Sequence, residues 1–343
     1  MKKLLNTLYV TTQHAYLKKE GESVVVMIDN ETRLRLPVHT LDGIVTFGAV
    51  SVSPYLLHHC AKNDVTVSYF SEYGQFLARV QGPASGNVLL RREQFRLADN
   101  ETRCLHISRS LLKGKIHNSR VVLRRAVRDH PETADTEKLK YAELRLSHYL
   151  NKIDRIENID GLRGIEGDAA GNYFGVFQEM ITADDSGFSF TGRNKRPPKD
   201  RVNALLSYIY TILSHDCRSA LEGVGLDPCV GFLHKDRPGR SSLALDLMEE
   251  LRSFLADRLA LTLINRKQMT GKDFIVSGTG AVLMKEDSRK TILSEWQKKK
   301  QEEITHPYLE EKIKIGMIPH IQARLLSRYI RGDIDGYPPF LWS

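Results

Sequence analysis

The periodicity of this chain changes once, and that change constrains its fold more than any composition figure. Up to Gln81-Gly82-Pro83 the sequence offers short runs rich in β-branched and aromatic residues. They are LLNTLYVTT, SVVVMID, RLRLPV, GIVTFG, VTVSYF and QFLARV, separated by Gly, Asp, Asn or Pro, which is the pattern of strands. Gly21 and Asp29-Asn30 supply turn chemistry, and Phe70–Phe76 reads as a hairpin turn. One short helix, Tyr55–Lys62, is expected after Ser53-Pro54. Beyond Pro83 the period becomes helical: Leu105, Leu112, Ile116, Leu123 and Val127 fall on one stripe. The expectation is an α+β chain, with a small N-terminal β-sandwich (a meander reads equally well) over residues 1–84 and a larger all-α domain over 85–343.

At 343 residues and 41% hydrophobic content the chain can bury a sizeable core, divided between roughly two domains. Cys60, Cys104, Cys217 and Cys229 lack CxxC spacing and read as reduced thiols of a cytoplasmic protein. Met1-Lys2-Lys3-Leu4-Leu5 opens like a signal peptide, but Asn6 and Thr7 deny it an apolar stretch. Gly43–Ala61 lacks Asp, Glu, Lys and Arg, yet it contains Ser51, Ser53, Pro54, His58 and His59. It reads as a buried strand followed by a helix, not as a membrane span. A phosphate-binding GxxxxGK[ST] loop and a GxGxxG motif are both missing, so nothing points to a nucleotide cofactor.

The formal net charge of +8 is concentrated in residues 84–130 and in the loop TGRNKRPPKDR at 191–201, a distribution that suits a polyanion partner. Arg109, Lys113, His117, Arg120, Arg124 and Arg128 form a stripe beside the apolar one. It is about 28 Å long at ~1.5 Å per residue, enough to track several duplex phosphates. The same stripe would equally pair with acidic residues elsewhere or cover a partner subunit. Lys195, Arg196 and Lys199 add loop charges, and Arg237, Arg240 and Arg252 flank a more specific constellation.

That constellation is Glu166, His234 and Glu249. Glu166 shares a helical stripe with Ala170, Tyr173 and Phe177, where a carboxylate would be buried and would need a counter-ion. His234 ends VGLDPCVGFLH, just before a Pro/Gly loop. Glu249 follows in SSLALDLMEELRSFL with Asp246 one turn earlier, on a helix apolar nearly all round. Taken singly, Glu166 fits a pair with Arg163, His234 a structural histidine, and Asp246 and Glu249 a solvated face. Together, two carboxylates and an imidazole suit Mg²⁺ or Mn²⁺, and the lack of a nearby Cys or second His argues against structural zinc.

IEGDAAGNYFGVF, DRVNALLSYIYTILSHDC, GLDPCVGFLHKDRPGRSSLALDLMEELRSFLADRLAL and the YPPFLW tail resemble the CRISPR-associated protein one family, the integrases of spacer acquisition. The resemblance runs over nearly the whole chain, and the tail and LALDLMEE look most like type I members, subtype I-C in particular. It implies a β-domain that dimerises and a helical domain that is catalytic and binds DNA. It also implies a metal held by Glu166, His234 and Glu249, with Asp246 as a supporting or alternate ligand. Many members carry Asp where this chain has Glu249, one methylene longer. The implied reaction is attack by the 3′-hydroxyl of protospacer DNA on a repeat phosphodiester, water replacing the hydroxyl in cleavage. The implied partners are double-stranded DNA, a second copy of the chain and a dimer of CRISPR-associated protein two, with no membrane. Two other readings of the residues stay open: a non-catalytic DNA-binding scaffold, and a metallohydrolase of a small phosphoester, which leaves the basic stripe unexplained.

Overall fold

The computed structural model describes residues 7–41, 43–63, 65–72, 76–80, 88–132, 135–185, 187–194 and 197–343. Residues 73–75 of the expected Phe70–Phe76 turn, the expected boundary at 84/85, Lys195 and Arg196 lie outside them. The chain packs as two units. The first takes the residues up to 86 together with 284–302 and 314–317; the second takes the remainder.

In the first unit the strands are β1 (Thr7–Val10), β2 (Tyr16–Glu20), β3 (Ser23–Ile28), β4 (Glu31–Pro37), β5 (Gly43–Phe47), β6 (Ser51–Val52), β7 (Thr66–Phe70) and β8 (Phe76–Val80), with helix α1 (Pro54–Lys62) between β6 and β7. They make two four-stranded sheets, ordered β1-β5-β7-β8 and β4-β3-β2-β6. A meander would pair neighbours antiparallel throughout, and the first sheet does not. β1 and β5 run parallel, with Leu8 opposite Ile44, and β5 and β7 run parallel, with Ile44 opposite Val67. Parallel neighbours need a crossover, and α1 supplies the one between β5 and β7. Ser53 starts α1 by accepting the Leu56 N–H at 3.2 Å, with Pro54 at the first helical position. The second sheet is built from hairpins. Asp29 and Asn30 both take left-handed φ, 52° and 63°, which a two-residue hairpin turn requires. Strand β2, YLKKE, carries charge at three of its five positions and shows no apolar alternation. Only its Leu17 is fully buried. Both sheets and α1 share one core containing Val10, Leu17, Val26, Ile44, Leu56 and Val67.

The second unit is mostly helical: α2 (Val88–Ala98), α3 (Glu101–Asp129), α4 (Thr136–Lys152), α5 (Ile159–Gly175), α6 (Arg201–Gly223), α7 (Ser242–Glu249) and α8 (Arg258–Asn265). Helix α9 (Glu286–Gln301) belongs to the first unit, where Arg289 pairs with Glu72 at 3.0 Å. Helix α10 (Ile318–Arg331) returns to the second. Caps explain several starts: Asn100 accepts the Arg103 N–H at 2.9 Å and Asp200 the Asn203 N–H at 2.8 Å, satisfying first-turn donors. The apolar stripe of α3 packs inward, with Leu105, Leu112, Ile116 and Leu123 buried.

The apolar run SSLALDLMEELRSFL does not form one continuous α-helix: a π-helical stretch at Arg252–Asp257 lies between α7 and α8. No described helix is long and apolar enough to cross a membrane.

Candidate metal centre

Glu249 ends α7 and is 1% exposed. Asp246, one turn earlier, is fully buried. A buried carboxylate costs several kcal/mol unless it is satisfied, and Asp246 is satisfied by one loop. It accepts the backbone N–H groups of Phe232 (2.7 Å), Leu233 (3.1 Å) and His234 (3.0 Å), and its Oδ1 meets His234 Nδ1 at 2.6 Å. The loop can close this tightly because residue 231 is glycine. A Cβ there would sit 2.7 Å from Ser242 Cβ and 2.9 Å from the His234 carbonyl oxygen. An ionised carboxylate only accepts, so Nδ1 carries a proton, and in the neutral ring that leaves Nε2 with its lone pair. Nε2 faces Glu249 Oε1 at 4.0 Å. The other side of the loop is tied to α5 by Arg163, which donates to the Leu233 carbonyl at 2.7 Å and to Asp160.

Glu166 comes from α5. Its side chain is 30% exposed, so the stripe that buries Tyr173 and Phe177 opens to solvent at its Glu166 end. The expectation of a buried Glu166 is corrected in that respect. Among the described residues no hydrogen bond or ion pair joins it to His234 or Glu249. Lys115 of α3 stands between, its ammonium touching Glu166 Oε1 and lying 2.8 Å from Glu249 Oε2. Arg252 Nη2 is 3.1 Å from Glu249 Oε1. Burial pushes the Glu249 carboxyl up, but Arg252, Lys115 and His234 together outweigh it and hold the group below the usual carboxylate range.

Do these residues fit a divalent ion? Among the described residues no three His, Cys, Asp or Glu side chains already form a closed cage. The donor set nonetheless suits one. A gap of 4.0 Å between His234 Nε2 and Glu249 Oε1 lies within the span of two ligands each ~2.1 Å from one ion. Glu249 Oε2 is buried and faces the Lys115 ammonium at 2.8 Å. Asp246 supplies the second contact that fixes a metal-binding imidazole.

Comparison with known proteins gives the family. The family model described as "CRISPR associated protein Cas1" matches residues 8–298. The chain is 57% identical over its full length, and that of the relative, to a CRISPR-associated endonuclease Cas1 of Chlorobaculum tepidum. It is 51% identical, again over both full lengths, to a CRISPR-associated endonuclease Cas1 of Rhodospirillum rubrum. This chain belongs to the Cas1 family. The fold agrees: a Cas1 protein from Thermotoga maritima superposes with a TM-score of 0.81 at 21% identity, covering 95% of this chain and 97% of that one. A casposase solved on its integration product superposes at 0.84 and 22% identity, covering 98% of this chain and 94% of that one.

The basic residues of this Cas1-family chain are placed less uniformly than their spacing suggested. On α3, Arg109 donates to the Ile156 carbonyl at 2.5 Å, Lys113 pairs with Asp154 at 2.6 Å and Arg120 with Glu143 at 2.7 Å. Arg124, 55% exposed, lies 3.9 Å from Glu143. His117 meets the Trp342 carbonyl at 2.9 Å. Much of the stripe thus braces α3 against its neighbours. Arg252 is bound to Glu249 and stacks on Tyr210, 4.9 Å from the ring centre. Lys199 and Arg237 are exposed and Arg240 is half-buried. Sequence reasoning missed Lys115, which lies on neither stripe of α3. Its one signal was a lysine two residues from Lys113 whose face also carries Asn118, a polar residue with no exposure.

Proposed function

We propose that this chain is a divalent-metal-dependent DNA endonuclease and integrase that inserts protospacer DNA into a CRISPR array. The carrying observation is the geometry around Glu249: a buried, charged carboxylate facing an imidazole whose other nitrogen is locked by Asp246. Full-length relatives named as endonucleases, at 57% and 51% identity, support the activity class. Glu166, His234 and Glu249 would hold Mg²⁺ or Mn²⁺, with Asp246 orienting His234. When bound, the ion supplies Lewis-acid activation of the scissile phosphate and charge stabilisation of the leaving oxygen.

The chain's own residues do the rest. Asp246 keeps the His234 proton on Nδ1 and prevents the ring from turning. Lys115 and Arg252 bring positive charge to within 2.8 and 3.1 Å of Glu249, where an incoming phosphodiester would be attracted. No protein nucleophile is needed: the 3′-hydroxyl of the incoming DNA attacks, and water replaces it in cleavage. One phosphodiester forms as another breaks, so no nucleotide hydrolysis is required. Binding two DNA ends together supplies much of the rate.

Lys199, Arg237 and Arg240 are the better DNA contacts in this reading, holding phosphates in a salt-dependent way. Lys195 and Arg196 share their loop with Lys199 and are proposed with them. Arg109, Lys113 and Arg120 contribute mainly by bracing α3. Residues 1–84 act as the dimerisation domain and 85–343 as the catalytic and DNA-binding domain. A Cas2 dimer bridges two such homodimers; a fold neighbour is solved as a Cas6-RT-Cas1–Cas2 complex, at 21% identity. The LALDLMEE and YPPFLW wording supports a type I system, subtype I-C, and the scattered thiols support a cytoplasmic site.

The test is strand transfer of a short duplex with free 3′-hydroxyls into a supercoiled plasmid bearing a repeat, with Mn²⁺ or EDTA and the small partner present. Wild type should nick and join only with metal. His234→Ala and Glu166→Ala should bind DNA but neither nick nor join. Metal-independent joining, or variants as active as wild type, would move the protein to the scaffold reading.

A further inference from the structure

Lys115 is an unusual residue for the middle of a 29-residue helix. It is 8% exposed, and lysines are rarely buried without a partner. Its backbone is held close to the centre rather than reaching for it from the surface. The neighbouring Gly114 packs so near α7 that a Cβ would lie 2.9 Å from Glu250 Cγ. Ser119, one turn on, donates its hydroxyl to the Lys115 carbonyl at 2.9 Å. From that fixed base the ammonium reaches Glu166 and Glu249 and joins two carboxylates that otherwise do not meet.

Two carboxylates that meet one ammonium repel each other. A divalent ion between them removes that repulsion. A monovalent ammonium in the same position removes much of it when no ion is there. We propose that Lys115 is a built-in counter-cation: it neutralises the Glu166–Glu249 pair in the metal-free protein, and yields to the divalent ion when one binds. Lys115 thereby sets the metal affinity of the centre. The inference rests on the metal reading above. The lysine arm has somewhere to go. A recess open to water is lined by Lys115 itself with Ser119, Tyr173, Tyr210, Ser253 and Asp257, and the Asp257 carboxyl there offers a second partner. Lys115 is a positioning residue in this account, acting through the two carboxylates.

The experiment titrates Mn²⁺ into the full-length protein without DNA, by calorimetry, and records thermal melting with and without Mn²⁺. Wild type, Lys115→Met and Lys115→Arg are compared. Removing a positive charge a few ångströms from the ion should tighten Mn²⁺ binding in Lys115→Met by about tenfold or more. The same variant should melt lower than wild type without metal and recover most of the difference with it. Lys115→Arg keeps the charge and should bind Mn²⁺ within a few-fold of wild type. Binding by Lys115→Met at wild-type affinity or weaker would overturn the proposal. So would an equal loss of melting temperature with and without metal, the mark of a purely structural lysine. If Lys115→Met does not fold without metal, Lys115→Gln is read by the same two criteria. If wild type itself takes up no Mn²⁺, the metal reading fails along with this inference.

Discussion

Glu249 and Glu250 are neighbours in sequence, are 1% and 0% exposed, and have opposite surroundings. Glu249 looks toward charge: Lys115, Arg252 and His234. Glu250 looks toward neutral donors. It accepts the Tyr337 hydroxyl at 2.5 Å, the Gln322 amide at 2.8 Å and the Phe340 N–H at 2.7 Å, and burial pushes its carboxyl up to about 7. The first is kept charged, as the metal ligand proposed above must be. The second fastens the C-terminal segment to the base of α7, helped by Asn118, which donates to the Glu250 and Phe340 carbonyls and accepts the Trp342 N–H. Burial alone therefore does not mark a functional carboxylate. The charge of its partners does.

The sharpest way to break this contrast is to neutralise each glutamate in turn. Glu249→Gln should lower metal-dependent nicking and joining by roughly 10³-fold, the several kcal/mol a bound ion supplies. Glu250→Gln should stay within about tenfold of wild type in the same assay. Comparable losses would erase the distinction.

The two should also differ in how stability depends on pH. Glu250 holds its proton to a higher pH folded than unfolded. Stability therefore falls as pH rises from the ordinary carboxylate value through about 7, by up to about 3 kcal/mol. Glu249 has the opposite sign: its contribution is present above the ordinary carboxylate value and is lost as pH falls below it. Denaturant melts from pH 4 to 8 should show Glu250→Gln flatter than wild type over the upper window. An unchanged slope would mean that Glu250 is charged in the folded protein.

Asp246→Asn probes the support beneath the metal reading. An amide turns donors toward backbone N–H groups that need an acceptor, and it removes the partner of His234 Nδ1. Mn²⁺ affinity should fall about 10- to 100-fold, with ~1–3 kcal/mol lost from stability. Wild-type affinity by calorimetry would show that the His234 ring needs no such anchor. The smallest effect is expected on α3: Arg124→Ala should cost under about 1 kcal/mol, because that pair is long and solvent-screened. A salt titration of DNA binding would then show whether Arg124 adds a phosphate contact.

The strands β1, β3, β4, β5, β7 and β8 and helix α1 with its Ser53 cap were legible because each carries a local signal: alternation, a turn pair or a capping side chain. Strand β2 was not, because YLKKE buries one residue and borrows its pairing from both neighbours. Nor was the π-helical break after α7, which leaves the apolar pattern of SSLALDLMEELRSFL nearly unbroken. Residue types at the centre could be chosen from sequence because a histidine before a Pro/Gly loop and carboxylates on an apolar helix are locally costly.

By itself, then, the sequence determined the change from strand to helix, the excess of positive charge, and which side chains have chemistry to offer, since these depend on neighbours a few residues away. The tertiary structure alone decided which carboxylate meets which cation. It placed Lys115 between Glu166 and Glu249, separated by 51 and 134 positions, turned Arg252 onto Glu249, and bound much of the α3 stripe to acidic groups and carbonyls of its own chain. Electrostatic partnership acts over a few ångströms of space and is indifferent to distance along the chain, so no local pattern records it.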